Sequence, residues 1–295
     1  MADKINLLVT GSNGQLGNSI KGISNRFDLY NFHFTNKNQL DITNNKLIEE
    51  YVKKNQINIV INCAAYTNVE KAEKERELAD LINHVSVDNL SKICSKHNIQ
   101  LIHISTDFIF DGSKDYPYNE MDTPNPINMY GLTKLNGEKK MMRHNLDKSI
   151  IIRTSWLYSE SKNNFVSKIL NKINNHNYIN VVENEIGSPT NVKDLAKVIL
   201  SIIPKLKNDK TEIFHFSNIG FCSRYDFATE INKIVNGKSS IKSESVSKSM
   251  VKRPKYSVLD SKKIINKYDI KINNWQNSLF NHLSIIKNKF STYEV

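Results

Sequence analysis

The sequence predicts an α/β chain built on a doubly wound, mostly parallel sheet, with a smaller mixed α/β lobe attached. Three observations carry that prediction. Short runs dense in Ile and Val alternate with helical patterns through the first half, a glycine-rich turn follows the first run directly, and the regularity loosens after Tyr158. At 295 residues the chain is longer than one typical domain and shorter than three.

Ile5 to Thr10, Leu29 to Phe34, Ile57 to Ala65, Leu101 to Thr106 and Ile150 to Tyr158 read as strands. Their apolar character without polar alternation suits a sheet covered on both faces. Helical patterns over about 15–25, 44–55, 77–97 and 127–146 supply right-handed crossovers between them. Past Tyr158, helices near 162–176, 191–205, 224–236 and 275–290 are separated by loops rich in Asn, Ser and Lys. The 191–205 helix and a strand from Glu212 to Ser217 are placed to return to the first sheet. The expected division is a dinucleotide-binding unit over 1–158 plus about 191–217, and a substrate-binding lobe over 159–190 and 218–295.

The net charge of +11 comes from 41 basic against 30 acidic residues, but only six of the basic residues are arginine and the lysines are diffuse. A surface selected to grip nucleic-acid phosphates favours planar, bidentate arginine. The excess therefore argues for an anionic small substrate and against a nucleic-acid partner. Cys63, Cys94 and Cys222 are odd in number and far apart, which fits neither disulfides nor a metal site and implies a reducing compartment. The first residues lack the basic start and apolar run of a signal peptide, and no apolar stretch approaches the roughly eighteen residues of a membrane helix. The expectation is a cytoplasmic protein with no membrane partner and no metal.

The segment Gly11, Ser12, Asn13, Gly14, Gln15, Leu16, Gly17 joins the first strand to the first helix. Glycines spaced three apart allow a sharp turn, let backbone N–H groups approach a pyrophosphate, and let the helix press on the sheet. The helix N-terminus adds positive potential for those phosphates. This Rossmann-type context of strand, glycines and helix predicts a nicotinamide dinucleotide. At the end of the second strand stand His33, Phe34, Thr35, Asn36 and Lys37, with no carboxylate to accept from a free ribose hydroxyl, so NADPH is preferred over NADH. Asp41 and Ile42 follow, with Asp41 read as lying by the adenine or, more plainly, beside Thr43 as a cap of the next helix.

Tyr130 and Lys134 are four apart in a helical pattern and so share one face. A phenol ordinarily titrates at about 10, and a neighbouring ammonium favours its ionised form. Tyr130 is then the acid that protonates a carbonyl oxygen as hydride reaches the carbon, and Lys134 has reach to hold a nicotinamide ribose. Thr106, or in second place Ser105, ends a strand at the edge where open α/β sheets bind ligands, and supplies a hydroxyl to the same oxygen.

In order along the chain stand the glycine segment, Leu40-Asp41-Ile42, Asn62-Cys63-Ala64-Ala65-Tyr66-Thr67, Ser105-Thr106-Asp107-Phe108-Ile109-Phe110-Asp111-Gly112, Tyr130-Gly131-Leu132-Thr133-Lys134 and Arg153-Thr154-Ser155-Trp156. Together they resemble, nearly end to end, the dTDP-4-dehydrorhamnose reductase family of extended short-chain dehydrogenases/reductases. The resemblance implies reduction of the C4 keto group of a dTDP-4-keto-6-deoxyhexose, with Thr106, Tyr130 and Lys134 catalytic and Ala64, Ala65 and Tyr66 lining the cofactor cleft. It places Ser105, Asp107 and Phe108 by the substrate, Trp156 against the sugar, Asn164 and Pro189 near the nucleotide, and Arg253 near the diphosphate. A homodimer is also implied. Two departures stand out: Asn184-Glu185 replaces a usual Asp-Gln, and Asn18-Ser19 stands where some members carry carboxylates for a subunit-bridging Mg2+. Two other readings remain: an epimerase or dehydratase of the same superfamily, and a noncatalytic cofactor-binding subunit like the partner of methionine adenosyltransferase.

Overall fold

The computed structural model describes residues 4–161, 163–245 and 250–291. The apolar runs become β1 (Ile5–Thr10), β2 (Tyr30–Phe34), β3 (Ile59–Asn62), β4 (Gln100–Thr106) and β5 (Ile150–Thr154). The strand Glu212–Phe216 joins beside β5, giving the order 212–216, β5, β4, β3, β1, β2 with every pairing parallel. From β1 the chain winds first to β2 and then back to β3 on the other side. The crevice at the carboxyl ends of β1 and β3 is thus the switch point where such sheets bind ligands.

Each sheet face is covered because the helices carry apolar stripes at helical spacing. Helix α1 (Gln15–Ile23) buries Leu16, Ile20 and Ile23, and Val192–Ile202 buries Leu195, Ile199 and Ile202 on the same face. Burying each such side chain stabilises the fold by about 1.5–3 kcal/mol. The other face packs under α2 (Asn45–Lys54), Ser86–Lys96 and Met129–Arg143. A separate cluster around Tyr158, Val166, Phe227, Trp275 and Leu279 forms the core beyond the sheet.

Several expected boundaries move for identifiable reasons. The run read as one strand to Ala65 ends at Asn62, since Ala64 and Ala65 turn out to line the cleft. The run to Tyr158 breaks after Thr154, where Trp156 adopts a left-handed φ of 45°. The 77–97 pattern is two helices, Arg76–Asp80 and Ser86–Lys96, joined by a π-helical turn at Leu81–Val85. The helix expected from 162 begins at Phe165, residue 162 lying outside the described residues. Helix α2 is capped by Asn44, whose side chain accepts from Leu47 N, and not by Thr43. A parallel pair, Tyr178–Val182 with Ser240–Glu244, and the helix Lys262–Tyr268 had no strong periodic signal among their Asn, Lys and Ser residues. Among the described residues no helix is long and apolar enough to cross a membrane.

Candidate active site

Gly11, Asn13 and Gly14 line a cavity of about 340 Å³ with Asn36, Lys37, Asp41, Ile42, Ala64 and Ala65. Gly11 has φ 64°, and a side chain there would meet Ala64 N at 2.7 Å, so glycine is what lets β1 and the β3 exit approach. A side chain at Gly17 would meet Gly11 O at 2.6 Å, so this glycine seats the helix on its own turn. Gly14 caps α1 without a side-chain acceptor, and no acidic residue occupies the first turn. The helix start therefore offers N–H groups and positive potential to an anion, which fits a dinucleotide pyrophosphate. Leu16 itself is core, and Gln15 accepts from Ser159 Oγ at 2.8 Å, so only their backbone faces the turn. Asp41 borders the cavity, and its carboxylate accepts from Thr43 N at 2.9 Å and Thr43 Oγ1 at 2.8 Å.

At the end of β4, Thr106 Oγ1 accepts from Phe108 N at 3.2 Å and donates to Asp107 Oδ1 at 3.1 Å. The Tyr130 ring packs edge-on against Phe108 at 5.6 Å, and Thr106 is among the groups that act on the phenol's ionisation. The approach depends on Gly131, where a side chain would sit 2.1 Å from Phe108 O. Asn128 caps this helix by accepting from Gly131 N at 2.9 Å. Ser105 is also buried, and its hydroxyl has no protein partner. Burial raises Tyr130 to about 12, and raises Asp107 to about 6 against the opposing pull of Ser257, Thr106 and Arg224.

Lys134 lies on the expected face but does not do what the spacing suggested. Its ammonium is not among the groups that tune the phenol, which moves up and not down. Its Nζ is buried, donates to Ile104 O at 2.6 Å and faces His103 Nε2 at 3.2 Å. Burial lowers Lys134 to about 8. Helix Met129–Arg143 is also anchored behind the site by Glu138, whose carboxylate receives Arg153 Nη2 at 2.7 Å and Nε at 3.1 Å. Both side chains are at most 3% exposed. Tyr66 is held by Asn83 on the π-turn: Asn83 accepts from Tyr66 N at 2.8 Å and donates to Tyr66 O at 3.0 Å and Thr133 Oγ1 at 3.1 Å.

The substrate side departs most from expectation. One face of the Trp156 indole is covered by the Arg224 guanidinium, 3.4 Å from the ring centroid, and Gly187 packs against the indole as well. Arg224 also pairs with Glu185 at 3.6 Å and feels both Asp107 and Arg253, while burial lowers it to about 10. Asn164 is a capping-box residue: its oxygen accepts from Ser167 N at 3.1 Å and its nitrogen donates to Ser159 O and Ser161 O, leaving no free donor for a nucleotide. Pro189 is buried between Ser188 and Thr190. Arg253 reaches Glu70 at 3.3 Å, with its Nε buried and unpartnered. Sequence reasoning passed over His103, Asn62, Asn83 and Arg224. A histidine inside an otherwise apolar strand and an arginine directly after the Ser223 cap were the available signals.

The chain matches the RmlD substrate binding domain model over residues 5–287. It is 35% identical over 289 residues to a dTDP-4-dehydrorhamnose reductase of Aggregatibacter actinomycetemcomitans, covering 93% of this chain and 97% of that one. It is 34% identical to the spore coat polysaccharide biosynthesis protein SpsK of Bacillus subtilis, covering 94% and 96%. Among solved structures, the dTDP-4-dehydrorhamnose reductase of Bacillus anthracis in complex with NADP superposes with a TM-score of 0.90 at 34% identity, over 95% of this chain and 99% of that one. A dTDP-glucose 4,6-dehydratase from the same organism, 15% identical with a TM-score of 0.81, shares the fold alone. With a glycine cleft after β1, Thr106 at the end of β4 and Tyr130 and Lys134 on the helix packed against it, the match along nearly the whole chain places it in the RmlD family of dTDP-4-dehydrorhamnose reductases.

Proposed function

We propose that the protein reduces the C4 keto group of a dTDP-4-keto-6-deoxyhexose with NADPH, converting dTDP-4-dehydro-L-rhamnose to dTDP-L-rhamnose in the cytoplasm. The observation that carries this reading is the Tyr130 ring packed on Phe108, two residues after Thr106 at the carboxyl edge of the sheet whose β1 exit carries the glycine cleft. Residues 1–158 with 191–217 are the cofactor half and 159–190 with 218–295 the substrate half.

Bound NADPH supplies the hydride. The chain supplies the proton and the electrostatics. With its pKa raised to about 12, Tyr130 stays protonated throughout the working pH range, which suits an acid that must deliver its proton to a forming alkoxide. Thr106, which donates to Asp107 without substrate, turns its hydroxyl to the carbonyl oxygen when one arrives. Arg224 and Arg253 are like charges that each disfavour the other, an arrangement that an anionic diphosphate between them relieves.

The test is NADPH consumption by purified protein with dTDP-4-dehydro-L-rhamnose, followed by identification of the product. No consumption with this or any other dTDP- or UDP-linked 4-keto sugar would sink the reading. Arg224→Met should raise KM for the sugar nucleotide about 10- to 100-fold, the loss of one charge-assisted hydrogen bond of about 1.5–3 kcal/mol, with KM for NADPH unchanged. Equal KM values in wild type and variant would remove Arg224 from the substrate site. For assembly we propose a homodimer, supported by the exposed apolar residues Leu78, Leu81, Val85 and Leu132 on neighbouring helices, and sedimentation velocity checks it.

A further inference from the structure

A chain of four buried polar side chains runs from β1 to the catalytic helix: Thr10, Asn62, His103 and Lys134, each at most 2% exposed. Asn62 Oδ1 accepts from Thr10 Oγ1 at 2.7 Å and from Ala64 N at 3.3 Å. Asn62 Nδ2 faces His103 Nδ1 at 3.2 Å, and His103 Nε2 faces Lys134 Nζ at 3.2 Å.

Donors and acceptors in this chain can be counted from a fixed end. A backbone N–H can only donate, so Ala64 orients the Asn62 oxygen toward itself and the Asn62 amine toward the histidine. His103 Nδ1 must then accept, which leaves the single proton of a neutral imidazole on Nε2. That Nε2–H points at Lys134 Nζ, and only a lone pair satisfies it there. An ammonium would set N–H against N–H in a buried site.

We propose that His103 is a positioning residue that favours the uncharged amine of Lys134 over its ammonium in the ligand-free protein, with Asn62 and Ala64 fixing the ring tautomer that does so. Burial acts in the same direction on both partners, lowering Lys134 to about 8 and moving His103 well below its ordinary 6.5, so no imidazolium forms. The other groups facing Lys134 do not reverse this. Cys63, at the exit of β3, is kept a neutral thiol by burial, which raises it to about 12. On the lysine's own helix Tyr130 is a neutral phenol, and the Glu138 carboxylate is already held by Arg153 of β5. From β4 come only the histidine and the Ile104 carbonyl. The inference deepens the catalytic reading of Lys134 but is measured without turnover, so failure of one leaves the other standing.

The test uses full-length, ligand-free protein with 15N-labelled histidine, and reads the two ring nitrogens of His103 by long-range heteronuclear NMR. Assignment by sequential contacts means that the wild-type reading needs no variant. At about pH 9, one unit above the lysine titration, His103 should be neutral and protonated on Nε2. As pH falls through about 8 and Lys134 takes a proton, its ammonium meets the Nε2–H as donor against donor, so the Asn62 amide should turn over, giving up the 3.3 Å Ala64 contact, and the ring proton should move to Nδ1 with the ring still neutral. A proton on Nδ1 at pH 9, or a doubly protonated ring, would overturn the proposal. In Asn62→Asp, a carboxylate replaces the donor facing Nδ1, so the ring should carry its proton on Nδ1 at pH 9 and Lys134 should remain an ammonium. An Nε2 proton in that variant at pH 9 would equally overturn it. A histidine that only filled space would show neither the pH-linked switch nor its reversal.

Discussion

Tyr130→Phe should lower kcat for the 4-keto sugar by about 10²–10⁴ while leaving the affinity for NADPH within about twofold. The expectation follows from what the phenol does and does not touch. Its ring rests on Phe108, a contact that phenylalanine keeps. The substitution therefore deletes one proton donor and little packing. Pre-steady-state hydride transfer with matched substrate distinguishes loss of chemistry from slow product release. A variant that turns over at the wild-type rate would show that the proton comes from elsewhere, and the mechanism proposed above would have to be abandoned.

Glu138→Ala should cost about 3–5 kcal/mol of folding stability, because it strands the Arg153 guanidinium in a site only 3% exposed. His215 Nε2 at 3.3 Å and the Phe110 ring at 5.5 Å remain beside it, but neither supplies a negative charge. Denaturant unfolding with an unchanged m-value is the measurement. Replacing both partners, Glu138→Leu with Arg153→Met, should recover most of the loss, since no unpaired charge is left behind. If the single variant loses less than about 1 kcal/mol, the pair is not the anchor described here. Because Glu138 sits one turn beyond Lys134 on the same helix, the single variant should also lose activity, whereas a wild-type kcat would separate anchoring from catalysis.

What could be read from the sequence was what repeats or what glycine alone permits. The glycine turn after β1 and the four-residue step from Tyr130 to Lys134 are geometric statements that the fold preserves. The missed residues act through partners far away in the chain. His103 looks like an interruption of an apolar strand until Asn62 and Lys134 close on its two nitrogens. Arg224 looks like an ordinary first residue of a helix until it lands on Trp156. Asn164 shows the opposite error, since a residue expected at the ligand is occupied with capping its own helix. The tuning of Tyr130 was misjudged for a related reason: spacing gives proximity, but burial decides which way a group titrates.

The contact between Gly131 and the Phe108 carbonyl means that the distance from acid to threonine is set by main chain resting on main chain. No side chain on the outer surface of that helix takes part in setting it. Lys139, exposed there, is accordingly a site where labels, surface attachments or solubilising substitutions can be introduced while the reaction centre keeps its dimensions.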